Sequence, residues 1–353
     1  MMKNPGFCNK TLVIGITILL IEICAIPSTG IKVERESTTL ITIGNTLYVG
    51  GSGSGNYSTI QDAIDDASDG DTIFVYDDSS PYYENIVVDK SVNLLGENKN
   101  TTEIISGWEE FYVINISSDF VNISGFTIRA EGFDRYGFAG ISIVSSNNKI
   151  SDNIITAGYD NDGIELLSSS EKNIIIGNIF MESSNGIYST LSSYNVIQNN
   201  YFTSLWNCIV LDLSHRNSII NNTLNGNSHG IILYNSHNNI LLNNRLYNDA
   251  WCTTLYLLSS NNNTIKDNII FWGNSINMRY SHNNTINGNT IAHCRYGISL
   301  WNTSYNKILC NNFISCREYG VSCGCYLREN YRNNPKHTDC CYTQNYNIPN
   351  IEN

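Results

Sequence analysis

From Lys149 to Tyr326, apolar residues alternate with polar ones in short runs broken by polar turns, and the arrangement recurs. The unit is Asn-x-Ile-x-x-Asn, an apolar residue two places on, then a Gly-Ile-x-Leu-like run. Its closing asparagines are Asn153, Asn178, Asn200, Asn222, Asn244, Asn268, Asn289 and Asn311, spaced 25, 22, 22, 22, 24, 21 and 22 residues apart. Apolar residues at i and i+2, with turns every few residues, predict short strands and exclude helix over this stretch. A fixed period in the low twenties is the mark of a solenoid.

Aligning the coils on their asparagines produces three apolar columns. One reads Ile150, Ile175, Ile197, Ile219, Leu241, Ile265, Ile286, Ile308; a second reads Ile155, Phe180, Phe202, Leu224, Leu246, Ile270, Ile291, Phe313. The third, from the Gly-Ile run, reads Ile141, Ile164, Ile187, Ile209, Ile231, Leu255, Ile276, Ile298, Val321. Each coil buries these side chains only between neighbours about 4.8 Å above and below. The asparagine column suits a tight bend, because Asn tolerates left-handed backbone and its amide bonds the next Asn in the stack. The expected fold is all-β: a right-handed parallel β-helix of about 21–25 residues per coil.

Upstream, residues 31–56 read as a polar, flexible lead ending in the Gly/Ser run at 50–55. Ser58-Thr59-Ile60-Gln61 forms a capping-box pattern, with Ile60, Ala63, Ile64 and Ala67 at helical spacing and Gly70 as a stop. A capping helix over 57–70 therefore closes the solenoid, which runs over 57–326. The tail 327–353 lacks the repeat and is expected to cap the other end.

Tyr57-Ser58-Thr59-Ile60-Gln61-Asp62-Ala63-Ile64, Asp69-Gly70-Asp71-Thr72-Ile73-Phe74-Val75, Tyr82-Tyr83-Glu84-Asn85-Ile86 and Asp89-Lys90-Ser91-Val92-Asn93-Leu94-Leu95-Gly96 resemble the opening of pectin-lyase-like β-helix proteins. The likeness is nearest to the NosD-type group, a periplasmic accessory family of nitrous oxide reductase with surface-protein relatives. Val121-Asn122-Ile123-Ser124-Gly125-Phe126-Thr127-Ile128 is similar to that group's first regular coil. The resemblance covers roughly 57–326; it implies the fold and leaves function open, since lyases, hydrolases, epimerases and adhesins share it.

Composition narrows the partners. The formal charge is −12, only 15% of residues are charged, and no Lys/Arg cluster exists, which argues against nucleic acid. Residues 1–30 carry Lys3 and Lys10, an apolar run from Leu12 to Ile23, and Pro27-Ser28-Thr29-Gly30, the pattern of a secretory signal. Glu22 inside the run keeps an uncleaved anchor as the lesser reading, and that anchor would be the sole membrane contact. The expected location is extracellular or on the cell surface. Sequons begin at Asn56, Asn100, Asn115, Asn122, Asn221, Asn262, Asn283 and Asn302, which fits an exported glycoprotein.

Export also makes disulfides the first expectation for the cysteines beyond the signal. Cys294 and Cys316 each fall five residues after their coil's asparagine, so they stack in adjacent coils at bridgeable distance. Cys323, Cys325, Cys340 and Cys341 are further candidates. With His337 the last four offer zinc or copper ligands as an alternative. No metal set is assigned, because adjacent Cys340 and Cys341 make awkward ligands for one tetrahedral site.

Candidate chemistry sits in two places. Asp160, Asp162 and Glu165 share one coil, and Arg135 lies in the insertion leading into the coil below. Such a set suits general acid–base work in a glycoside hydrolase, or a calcium-assisted lyase. Asn161-Asp162-Gly163 is similar to one motif of the polygalacturonase family, whose remaining motifs have no match here. The plainer reading is a set of polar turn residues with Glu165 on a solvated face. Trp206, Trp251 and Trp272 precede their Gly-Ile runs by two or three places, and Tyr188 and Tyr256 point outward from theirs. A row of aromatics along one edge suits sugar rings, unless those turns fold back and bury it. His215, His237 and His282 occupy equivalent turn positions, where copper ligation competes with simple solvation.

Three functions remain open. The first is a non-catalytic exported β-helix that binds a polysaccharide or envelope glycan and needs no cofactor. The second is a polysaccharide lyase, with calcium, or a hydrolase using the 160–165 coil. The third is a copper-delivery accessory protein of the NosD type.

Overall fold

The structure, a computed structural model, describes residues 44–106, 110–130, 137–247, 252–323 and 331–332. The chain winds into a right-handed parallel β-solenoid. One face is a 13-stranded sheet from Thr46–Val49 to Tyr331–Arg332. Two further faces join into a 20-stranded sheet, because Ile154–Leu166 and Ile179–Thr190 continue around the corner between them.

All three apolar columns lie in register. Ile150 pairs with Ile175, and that column continues unbroken to Ile308. Ile155 pairs with Phe180 and leads to Phe313. Ile141 pairs with Ile164 and leads to Val321. Nearly all of these side chains are buried in one continuous core. Each contributes about 1.5–3 kcal/mol of transfer free energy, and only because its neighbouring coils are present.

The corners are held by polar ladders. Each closing asparagine accepts the next-lower coil's backbone N–H on its Oδ1: Asn178 N donates to Asn200 Oδ1 at 2.9 Å, and Asn200 N to Asn222 Oδ1 at 2.9 Å. Its Nδ2 donates to a main-chain carbonyl, as Asn200 does to Ile175 O at 2.8 Å. These amides are buried, and the ladder satisfies them. The first asparagine of the motif builds a second such ladder, Asn148–Asn173–Asn195–Asn217–Asn239–Asn263–Asn284–Asn306. Ser170, Ser192, Ser214, Ser236, Ser260 and Ser281 build a third with their hydroxyls. The left-handed residues are not the ladder asparagines, contrary to the sequence expectation. They precede them at Asp152, Asn199, Asn221, Asn243 and Asp267, all with φ near +54° or +55°. The bend needs one residue whose side chain leaves the barrel and one whose amide enters it; a single asparagine cannot do both.

At the N-terminal end the helix spans Ile60–Asp66, shorter than the 57–70 expected, and seats Ile60, Ala63 and Ile64 on the core. Thr59, not Ser58, is its N-cap, and its hydroxyl accepts from Asp62 N at 3.2 Å. Glu84, one coil away, supplies the acceptors that a local capping box would have provided: Ile60 N and Gln61 N donate to its carboxylate at 2.8 and 3.0 Å. Thr46–Val49, within the segment read as flexible lead, is instead the first strand, paired with Thr72–Val75. Among the described residues no helix is long and apolar enough to cross a membrane.

Candidate functional site

The Gly-Ile run shapes the outer surface. In the coil of Asp162, Gly163 and Ile164 both face inward, so Asp162 and Glu165 both emerge on the outer face. Residues i and i+3, which a regular strand would place on opposite faces, become neighbours here. Packing imposes the glycine: a Cβ at Gly163 would lie 2.6 Å from Gly186 O and 2.9 Å from Phe180 Cδ1. At Gly186 it would meet Cys208 O and Phe202 Cδ1, each at 2.7 Å.

Stacking repeats this geometry as outward columns. An edge column runs Asp162, Asn185, Asn207, His229. A floor column runs Glu165, Tyr188, Val210, Ile232, Tyr256, Asn277. The opposite edge runs Asp212, Tyr234, Leu258, Arg279, Trp301. Together with Trp206 and Thr253, the middle stretches of these columns line an open groove of about 490 Å³, from Asn185 and Tyr188 to Asn277 and Arg279. Its walls mix aromatic rings with amides, the composition of a site that packs on apolar faces and fixes orientation with a few polar contacts.

Asp162 and Glu165 lie directly below Asn185 and Tyr188 in their columns. The two carboxyl groups hydrogen-bond to each other. Burial is the main force raising both pKa values, and the Asp162 charge adds to it at Glu165, which is pushed up to about 7. The proton sits on Glu165, because Asp162 is already committed as an acceptor: Asn185 Nδ2 donates to its Oδ1 at 2.6 Å. Asn207 Nδ2 donates in turn to Asn185 Oδ1 at 2.7 Å, so the carboxylate polarises an amide chain along the groove edge. Asp160, grouped with this pair in the sequence, is exposed, and its carboxyl makes no hydrogen bond or ion pair with the described residues. Buried Asn161 between them instead latches the turn, accepting from Phe138 N and donating to Ala157 O. Arg135 lies outside the described residues.

The aromatic candidates divide. Tyr188 and Tyr256 form part of the groove floor, and Trp206, 60% exposed, stands on its rim with its ring 5.8 Å from His229. Trp272 does not line the groove; it turns away at φ +68° and stacks on His293, with ring centroids 5.7 Å apart. Its coil is one residue shorter than the coils around Trp206, which shifts it to the neighbouring corner. Trp251 lies outside the described residues. Sequence reasoning missed Asn185, Asn207, Tyr234, Asn277 and Arg279, although counting outward from the Gly-Ile register would have found them.

The turn histidines have structural work. His215 and His237 stack at 5.0 Å and 4°. Each Nδ1 accepts the backbone N–H of the following coil at 3.0 Å, from His237 and Asn261 respectively, and His282 Nδ1 does the same for Ser304. Cys294 and Cys316 stack in adjacent coils as free thiols, and Cys316 Sγ donates to Ile291 O at 3.8 Å. Cys323 is described only as part of the strand Tyr319–Cys323, and Cys325, Cys340 and Cys341 lie outside the described residues.

A family profile described as periplasmic copper-binding protein (NosD) matches residues 64–251 and 207–337. The chain belongs to the NosD family. Solved structures similar to this NosD-family chain include the Dettilon tailspike protein, with a TM-score of 0.57 at 15% identity over 77% of this chain and 68% of that one. The A-module of Azotobacter vinelandii mannuronan C-5 epimerase aligns at TM-score 0.51 and 15% identity over 80% of this chain and 100% of its own. A family 28 exopolygalacturonase of Yersinia enterocolitica aligns at TM-score 0.51 and 12% identity over 74% of each. At these identities the likeness is one of fold. No curated protein sequence matches the chain.

The family description raises copper, and the described residues do not fit it. No three His, Cys, Asp or Glu side chains among them converge as ligands. The histidine column spends its Nδ1 atoms on backbone N–H groups, and its stacked rings leave no shared point for a metal.

Proposed function

We propose that this chain is an exported NosD-family β-helix that binds a polysaccharide along its outer groove without cleaving it. The observation that carries the reading is the groove itself, with Tyr188, Tyr256, Tyr234 and Trp206 offering faces for sugar rings beside the amides of Asn185, Asn207 and Asn277. The carboxylate pair at the groove's end favours binding over hydrolysis. Glycosidases hold their two carboxyl groups about 5–9.5 Å apart, to flank a bond or admit water. Asp162 and Glu165 are instead bonded to each other.

A glycan array probed with the secreted full chain tests this, with product analysis on every glycan bound. Binding without turnover is expected, weakened about tenfold by Trp206→Ala, in line with about 1.4 kcal/mol for one aromatic platform. Trp206 is exposed, so the variant should keep its unfolding midpoint. Turnover abolished by Asp162→Asn would convert the reading to an enzyme.

A further inference from the structure

The groove is electrostatically lopsided. Its lower end abuts the Asp162–Glu165 pair, and Asp212 stands on one edge. At the upper end the charged side chain is Arg279, which lines the groove beside Asn277. Four other cations of the solenoid are neutralised, Lys99 by Asp152, Arg129 by Glu103, Lys266 by Asp267 and Arg295 by Glu318, and the remaining described ones do not line the groove. Arg279 is exposed and has no carboxylate within ion-pair reach among the described residues. Its column neighbour on the far side is Trp301, 50% exposed, and the floor beside it carries Tyr256. A guanidinium in a groove lined by aromatic rings can leave the rings to seat a sugar while its planar fork grips an oxyanion with two N–H donors.

The two ends lie far apart. Glu165 and Asn277 are separated by five coil steps in the floor column, roughly 24 Å at the coil rise. That exceeds two Debye lengths at physiological salt, so the ends act as separate charge sites. A glycan charged at every unit would gain at Arg279 and lose at the charge of the Asp162–Glu165 pair and at Asp212. The net charge of −12 opposes it further. A neutral glycan would leave the guanidinium unused.

Building on the glycan-binding reading, we propose that the groove selects a sparsely charged glycan, with a single carboxylate or sulfate seated on Arg279 and uncharged units running toward Asp162 and Glu165. The charge fixes the direction of the bound chain: the anionic unit lies in the coils of Asn277 and Arg279, and hydroxyl-rich units lie over Tyr188, Asn185 and Asn207.

The test uses the full chain and tetrasaccharides on β-glucan, α-glucan, galactan and mannan backbones. Each backbone is supplied neutral, with one terminal uronate, with one terminal sulfate ester, and fully uronylated. On the backbone that binds, a singly charged form should bind about tenfold tighter than the neutral one, and tighter than the fully charged one. Arg279→Gln should bring the singly charged form down to the affinity of the neutral one, and Arg279→Lys should keep part of the preference. Asp162→Asn, which removes the charge of the pair, should improve binding of the fully charged form. Comparing uronate with sulfate tells which oxyanion the fork accepts. Equal affinity for neutral and singly charged forms, or a preference that survives Arg279→Gln, overturns the proposal and leaves the groove reading standing. Absence of binding by every tetrasaccharide overturns the groove reading itself.

Discussion

Asparagine does two different things in this solenoid. At the corners Asn200 is buried, accepts two hydrogen bonds from Asn178, and donates to Ile175 O and Asn222 Oδ1. In the groove Asn207 is half-buried and gives one side-chain bond to Asn185, leaving the rest of its amide for a partner. The corner column repeats the same residue in every coil. The groove column changes from Asp162 through Asn185 and Asn207 to His229. Repetition marks what the coil needs in order to stack. A break in an outward column marks what one place on the surface needs.

The sharpest way to break that contrast is to delete both amides. Asn200→Ala strands buried donors and acceptors in two coils and should cost roughly 3 kcal/mol or more. Asn207→Ala should cost no more than about 1 kcal/mol and weaken glycan binding instead. Urea midpoints followed by circular dichroism check both, and equal losses would erase the distinction.

Gly186→Ala probes the bend that makes the groove. The new Cβ would press on Cys208 O and Phe202 Cδ1, and overpacking of this kind costs about 1–3 kcal/mol. Stability unchanged from the parent chain would mean that the bend is not imposed by the facing phenylalanine ladder.

Two titrations separate groove from corner by their sign. Glu165 rises to about 7 in the folded chain, above the ordinary unfolded value of about 4.3. Between those values the native state holds the extra proton, so this pair's contribution is full below about pH 4 and fades as pH rises through 7. His237 is shifted the other way, lowered by burial and by His215. Its contribution is present above about pH 6.5 and is lost as pH falls through the lowered value, because a protonated Nδ1 cannot accept Asn261 N. Glu165→Gln should flatten the alkaline side of a melting-temperature profile. His237→Asn should flatten the acid side with the smallest change at neutral pH, since Asn261 in the same column already accepts His282 N through its amide at 2.6 Å. A profile whose acid limb survives His237→Asn would remove the histidine column from the pH response.

The stacking was legible because it is periodic. Ile150, Ile155 and Ile164 recur at one spacing, and a side chain that must meet its own counterpart in the next coil can be placed by counting. The same logic put Tyr188 and Tyr256 outward and kept Asp162 with Glu165. It failed for Trp272, where a short coil moved the ring to the next corner, and for the histidines, whose acceptor role depends on a backbone N–H in another coil.

The chain by itself determined the coil, its three buried columns and its family, because burial repeats and leaves a period. Only the tertiary structure decided which polar residues are spent and which are free. Asp160 and Asp162 are two residues apart and read alike, yet one faces solvent and the other shares a proton with Glu165. Arg279 reads like the cations at 129 and 295, yet it lines the groove and has no carboxylate beside it among the described residues, while they are paired. Hydrogen bonds and ion pairs are made across coils some 22 residues apart, and pairing at that range is set by the stack.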